Sequence, residues 1–158
     1  MFKKLLQLAN KPTALFKAVP EDLIALIARI AIAAVFWRSA QTKISGWEFL
    51  DQSWQFYNLN RSTLMLFEYE YQLPLIHYQF AAYMATFSEF FVSLAILLGL
   101  MTRLSAFALL MMTLVIQVLV YPDAWPTHIL WATILLYIMK QGPGKFSVDQ
   151  LLMGTDRP

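Results

Sequence analysis

The stretch Leu75–Leu100, LIHYQFAAYMATFSEFFVSLAILLGL, decides the fold. From Tyr78 onward it carries a single charged side chain, Glu89, inside an apolar run long enough to cross a hydrocarbon core of about 30 Å at about 1.5 Å per residue. A carboxylate at that depth is expensive, and it is retained where it faces a partner, a water-filled cavity or a ligand. A second charge, Arg29, interrupts the apolar run Leu23–Trp37. The simplest physical reading pairs the two: the first and second spanning helices pack together and set opposite charges across their contact, making a polar site inside a helical membrane protein.

Composition points the same way. Hydrophobic residues make up 59% of the 158 residues and charged ones 14%, and mean hydropathy is +0.53. Charge is cleared out of long blocks instead of being spread evenly, which is the mark of an integral membrane protein. A chain of this length accommodates about four spans of about 20 residues and one extended loop, with no separate soluble domain. It reads as a single membrane domain over 1–158. With no Cys, the chain offers no disulfide, no thiolate metal site and no thiol redox chemistry. Any electron chemistry therefore needs a bound cofactor or a partner.

The expected fold is all-α, a four-helix transmembrane bundle with spans at about 21–43, 75–99, 104–120 and 126–140. Pro20, Glu21 and Asp22 open the first, since proline suits an early helical position and acids complement the positive helix end. Gly99 closes the second and the turn Leu100–Arg103 leads to the third. Gly142, Pro143 and Gly144 end the fourth, which is the shortest. Basic residues gather at the termini (Lys3, Lys4, Lys11, Lys17, Lys140, Lys145, Arg157) and in the second connection (Arg103), so both termini are expected in the cytoplasm of a bacterial cell, with the protein multi-pass in the inner membrane. The long first connection, Ile44–Leu73, then faces outward. Its Trp47, Phe49, Trp54, Phe56 and Tyr57 suit a cap lying along the interface. The opening MFKKLLQLANKPTALFK has too short an apolar part and no small-residue cleavage site for a cleaved signal, and it suits a short surface helix with Phe2, Leu5, Leu6 and Ala9 on one side.

Helical geometry limits which charges can meet. Arg29, Phe36 and Lys43 are seven apart and share a face, while Arg38 falls on the opposite side, where it suits a snorkelling interface anchor. Counting inward from the cytoplasmic ends puts Glu89 about one helical turn beyond Arg29, within reach of the guanidinium. The remaining polar candidates lie in the outer half: His128 beside Trp125 and Trp131, Gln117 and Thr113 on one face of the third span, and His77 at the start of the second. His77 and Glu89 are separated by about 18 Å of helix, so they cannot share a coordination shell, and no metal site is expected.

Arg29, Lys43 at the end of the first span, Glu89 in the second, the Gly99–Arg103 turn GLMTR and the closing GPGKFSVD at Gly142–Asp149 occur in an order that resembles the DoxX family of small four-helix membrane proteins. The first span departs from that pattern in having Ser39 and Ala40 where members often show Gly. The resemblance implies a link to quinone or the respiratory chain, since relatives include a membrane subunit of thiosulfate:quinone oxidoreductase and partners in oxidative-stress complexes. The segment Tyr121–Trp131, YPDAWPTHILW, also resembles a branch found with metal-stress peptides.

Two functional readings suit these features. In the first, Arg29, Lys43, Glu89, Gln117 and His128 line a polar pocket that holds a quinone-like head group, with no covalently bound cofactor. In the second, the chain is a non-catalytic assembly or scaffold partner for a soluble stress- or metal-related protein, and the buried charges lock two helices together. The bilayer is the expected environment, a protein partner or a homo-oligomer stays open, and no nucleic-acid partner is implied.

Overall fold

The computed structural model describes residues 2–9 and 18–153. Lys11, Lys17 and Arg157, counted above among the basic residues of the termini, lie outside the described residues. A short helix α1 (Phe2–Ala9) comes first, with Lys3, Lys4, Leu5 and Leu6 exposed. Four longer helices come after it: α2 (Glu21–Lys43), α4 (Tyr78–Leu98), α5 (Thr102–Val115) and α6 (Trp125–Gln141). Of these, α2, α4 and the continuous stretch Thr102–Val120 are long and apolar enough to cross a membrane. The 17 residues of α6 form the fourth long helix.

The outward faces explain why this bundle belongs in lipid. Leu23, Ile27, Ile30, Leu98, Leu104, Phe107, Leu114, Leu130 and Leu136 are exposed, whereas Arg29, Lys43 and Glu89 are buried. Between helices, small residues dominate: Ala25, Ala33 and Ala40 of α2 and Ala82, Thr86 and Ser93 of α4 are all buried. Lipid tails are as apolar as leucine, so helix association rests on close backbone approach, which small side chains permit. Ile32, Phe36, Ile96, Leu109, Leu135 and Ile138 fill the space where α2, α4, α5 and α6 converge.

The long connection holds more structure than an aromatic loop. A hairpin pairs β1 (Glu48–Phe49) with β2 (Gln52–Ser53), turning through Leu50 and Asp51 at positive φ. Next comes α3 (Arg61–Met65), which widens into a π-helical turn, Leu66–Tyr71. The bundle is thus helical with a small β element in its cap. Trp54 and Phe56 pack on Phe90 and close that end of the bundle, the distal end. α5 also continues as a π-helical turn, Ile116–Val120, facing the first.

At the opposite, proximal end the segment after α6 folds back under the helices and finishes in α7 (Val148–Met153). Gly144 lies against Ala25 and the Asp22 backbone, and the Lys145 amide donates to Asp22 Oδ1 at 2.9 Å. Asp149 caps α5: its carboxylate accepts from the amides of Met101 (2.7 Å) and Thr102 (2.8 Å) and from the Thr102 hydroxyl (2.7 Å). Burial pushes this carboxyl up, but those donors together with the nearby Arg29 charge hold it below the usual carboxylate range. Because the folded value is depressed, the stabilisation is complete above the unfolded carboxyl's pKa of about 3.9 and is lost as pH falls through the folded value. Asp149→Asn should therefore destabilise by about 1–2 kcal/mol near neutrality, with the gap to wild type closing on acidification. Unfolding midpoints of both proteins across pH check this, and a gap that persists unchanged into strong acid would contradict it.

Candidate functional site

Lys43 sits on the last turn of α2, and its face of that helix is turned inward together with Arg29 and Phe36, as the seven-residue spacing requires. It is Lys43, and not Arg29, that meets Glu89. Nζ donates to Glu89 Oε2 at 2.8 Å and to Oε1 at 3.1 Å, with both side chains almost fully enclosed. Ser39, one turn back on α2, completes the cluster: its hydroxyl accepts from Lys43 at 2.7 Å and donates to Glu89 Oε1 at 3.1 Å. Ser39, set against glycine in the sequence resemblance, is thus a hydrogen-bond donor to the buried carboxylate.

Arg29 belongs to the proximal end. Nη1 donates to the Leu97 carbonyl at 3.2 Å, Nη2 donates to the Phe146 carbonyl, and the guanidinium feels the Asp149 charge. The expected Arg29–Glu89 contact fails because α2 and α4 do not end at one level. Arg29 stands about 12 Å along α2 from Glu21 and lies beside Leu97 and Gly99, so α4 stops that far short of the start of α2. Glu89, about 12 Å up α4 from Leu97, is then level with Ser39 and the Lys43 ammonium. Counting from unequal baselines chose the wrong cation on the right face.

Glu89 forms part of the wall of a cavity of about 210 Å³ in the distal half of the bundle. α2 contributes Phe36 and Ser39, α6 contributes His128 and Trp131, and the cap contributes Tyr71, with Tyr121 just beyond the second π turn. The room suffices for several waters or a small ring. Gln117 does not line this cavity. Its Nε2 donates to the Pro122 carbonyl at 2.7 Å, which turns its Oε1 to His128 Nδ1 at 2.7 Å. An acceptor facing Nδ1 makes that nitrogen an N–H, so the neutral form of the ring has Nε2 as its acceptor.

Of the five residues expected in one pocket, the structure therefore brings Glu89 and His128 to the cavity wall, places Lys43 and Gln117 behind them as their partners, and assigns Arg29 to the far end. His77 caps α4, its Nδ1 accepting from the Gln79 amide at 3.4 Å. Thr113 returns its hydroxyl to the Leu109 carbonyl, and Arg38 is exposed. Tyr71 and Tyr121 were not visible as site residues from sequence. Both lie at the ends of π-helical backbone, which inserts an extra residue per turn and so displaces side chains from the α-helical register. The Tyr121 hydroxyl donates to Glu70, and the Tyr71 ring meets that of Tyr121 edge-on at 5.7 Å. Burial holds both phenols protonated, and for Tyr121 the Glu70 carboxylate adds to that effect.

The chemistry available is hydrogen bonding and proton exchange. A carboxylate has about four acceptor positions, and Ser39 and Lys43 occupy three on Glu89, leaving one for a donor in the cavity. A second hollow of about 330 Å³ lies between α5 and α6, lined by Leu110, Leu114 and Ile129, and it shares His128 with the cavity.

The family model described as DoxX matches residues 24–122, more than half of the chain. The match covers α2 from Ile24 onward, the cap, α4 and α5. It therefore includes Arg29, Lys43, Glu89, Gln117 and Tyr121 and ends before His128. No curated protein and no solved structure matches the chain.

Proposed function

The chain belongs to the DoxX family of membrane proteins, and on that premise we propose that it is a redox-associated membrane subunit whose distal cavity binds the head group of a quinone, favouring the reduced, two-hydroxyl form. The observation that carries this reading is a pair of acceptor side chains lining one cavity from opposite helices: Glu89, with one position left over, and His128. A quinone carbonyl offers them nothing, whereas a quinol donates two O–H groups. Trp131 and Phe36, with ring centroids 5.7 Å apart, supply aromatic faces for the ring. The apolar hollow between α5 and α6 gives an isoprenoid tail a place outside the cavity, on the lipid side. The exposed cations Lys3, Lys4, Arg103, Lys140 and Lys145 support cytoplasmic termini, which would put the cavity toward the outer leaflet of a bacterial inner membrane, with α6 as the fourth span.

Titrating the protein in nanodiscs with a short-tailed quinol, read by tryptophan quenching, should give saturable binding that Glu89→Gln weakens about tenfold or more, the loss of a hydrogen bond to a charged group being about 1.5–3 kcal/mol. His128→Leu, which leaves the Lys43–Glu89 pair in place, should weaken it similarly. Binding that both variants leave unchanged, or no saturable binding, would remove the proposal. The second reading, an assembly partner, draws on the hairpin tip, where the exposed Trp47 and Phe49 stack at 6.1 Å beside Leu50. A protein that binds no quinol yet co-purifies with one partner, and loses that partner when the tip is changed to serines, would favour it.

A further inference from the structure

We propose that Tyr71, Tyr121 and Glu70 form a proton relay that carries protons from the cavity carboxylate Glu89 to the distal surface. The inference rests on the cavity reading above and adds the path by which protons leave the cavity. Glu70 and Tyr121 are exposed, and the half-buried Tyr71 opens onto the cavity that contains Glu89. These three side chains span the distance from bulk water to a group that is itself almost fully buried.

The order of donors sets the direction. The single proton of Tyr121 is engaged with Glu70, which leaves the Tyr121 oxygen as the acceptor for a proton arriving from the neighbouring Tyr71, directly or through one water. A proton on Glu89, passed through cavity water, is taken by the Tyr71 oxygen while Tyr71 gives its own proton to Tyr121. Tyr121 in turn gives its proton to the Glu70 carboxylate, and Glu70 releases it to water. Each O–H bond broken is matched by one formed, neither phenol becomes charged, and the hydroxyls then rotate back. Burial, which keeps both phenols protonated, favours this hopping over ionisation.

The backbone supplies an independent argument. Tyr71 ends the first π-helical turn and Tyr121 comes immediately after the second, and the two turns touch each other across the cap. One extra residue per turn rotates the succeeding backbone by about 100°, so an α-helical register at either place would turn its tyrosine away. Such π turns recur at functional sites. The polar groups around Glu89 are Lys43 and Ser39 from α2, Tyr71 from the cap, Tyr121 beyond the second π turn and His128 across the cavity, while α5 and its π turn present the apolar Met112, Val115, Ile116 and Val120. From this wall the tyrosine pair leads to the exposed Glu70 carboxylate, whereas His128 leads to the Gln117 amide and the Pro122 carbonyl, neither of which takes up a proton near neutrality.

Time-resolved infrared spectroscopy of the full chain in nanodiscs after a pH jump, with the Glu89 carboxyl band assigned by its absence in Glu89→Gln, tests the relay. Glu70→Gln, an exposed change outside the cavity, should slow equilibration of that band by about tenfold or more, and Tyr121→Phe should do the same. Quinol affinity in Glu70→Gln should match wild type, so failure of the ligand reading and failure of the relay give separate signals. Equal rates in wild type, Glu70→Gln and Tyr121→Phe would show protons entering by the cavity mouth and overturn the relay. Absence of any titrating Glu89 band would overturn it equally.

Discussion

Replacing Lys43 by Met should destabilise the protein by about 3–5 kcal/mol, because it leaves the Glu89 carboxylate buried with only the Ser39 hydroxyl for company. Reversible unfolding in mixed detergent micelles reads the loss. A lipid-facing control such as Ile27→Val, on an exposed position of the same helix, should move the midpoint little. The same physics makes a second expectation that a generic packing defect does not share. Removing both charges, as in Lys43→Met with Glu89→Leu, should return stability to within about 1–2 kcal/mol of wild type, since an ion pair taken out whole releases its own desolvation cost. A double variant as unstable as the sum of the two singles would mean the residues do not interact.

Gly99→Ala should be the other severe change. Gly99 ends α4 in the left-handed region at φ 71°, where the Leu100 amide reaches back to the Ala95 carbonyl at 2.8 Å. A side chain costs about 1–2 kcal/mol in that conformation alone. The larger effect is steric: an added Cβ would lie 2.2 Å from Arg29 Nη1 and 2.5 Å from Ser147 Cβ. The guanidinium is pinned by the Leu97 and Phe146 carbonyls and Ser147 by its turn, so neither can yield without releasing the segment that folds under the bundle. We expect a loss of stability of about 3 kcal/mol or more together with rapid cleavage after Lys145 by a protease that spares the wild type. A variant that keeps wild-type stability and protease resistance would show that this end is not packed as described.

The proximal knot shows what was legible in the sequence and what was not. The positions of the long helices are set by hydropathy, glycine and proline, and α2 runs over the residues expected of it, Glu21–Lys43. The inward face carrying Arg29, Phe36 and Lys43 comes from helical periodicity alone. The relative height of two antiparallel helices does not, because no local signal in α4 records that it stops beside Arg29. That offset is set by tertiary contacts from residues far along the chain, with Phe146, Ser147 and Asp149 filling the space under α4 and α5. GLMTR and GPGKFSVD stand out as motifs without any sign that one caps the other through Asp149.

At the distal end the limit was different. Glu89 announced itself as a charge in an apolar run, and His128 stood out by type, so both were legible and both line the cavity. Ser39 reads as a packing departure, and only its hydroxyl's position between Lys43 and Glu89 gives it a polar role. Tyr71 and Tyr121 were hidden among other aromatics that serve the cap, and the backbone feature that selects them, π-helical widening, has no sequence signature comparable to a cap or a turn.

Dipolar recoupling by solid-state NMR in lipid bilayers, between side-chain nitrogens and the glutamate Cδ, addresses the pairing without perturbing it. With lysine Nζ labelled, the Glu89 signal should dephase as required by Nζ–Oε separations of 2.8 and 3.1 Å, and that contact should vanish in Glu89→Gln. With arginine guanidinium nitrogens labelled instead, the same carbon should show no close partner. Strong dephasing of Glu89 by arginine and none by lysine would contradict the assignment of Lys43 to the cavity and Arg29 to the opposite end of the bundle.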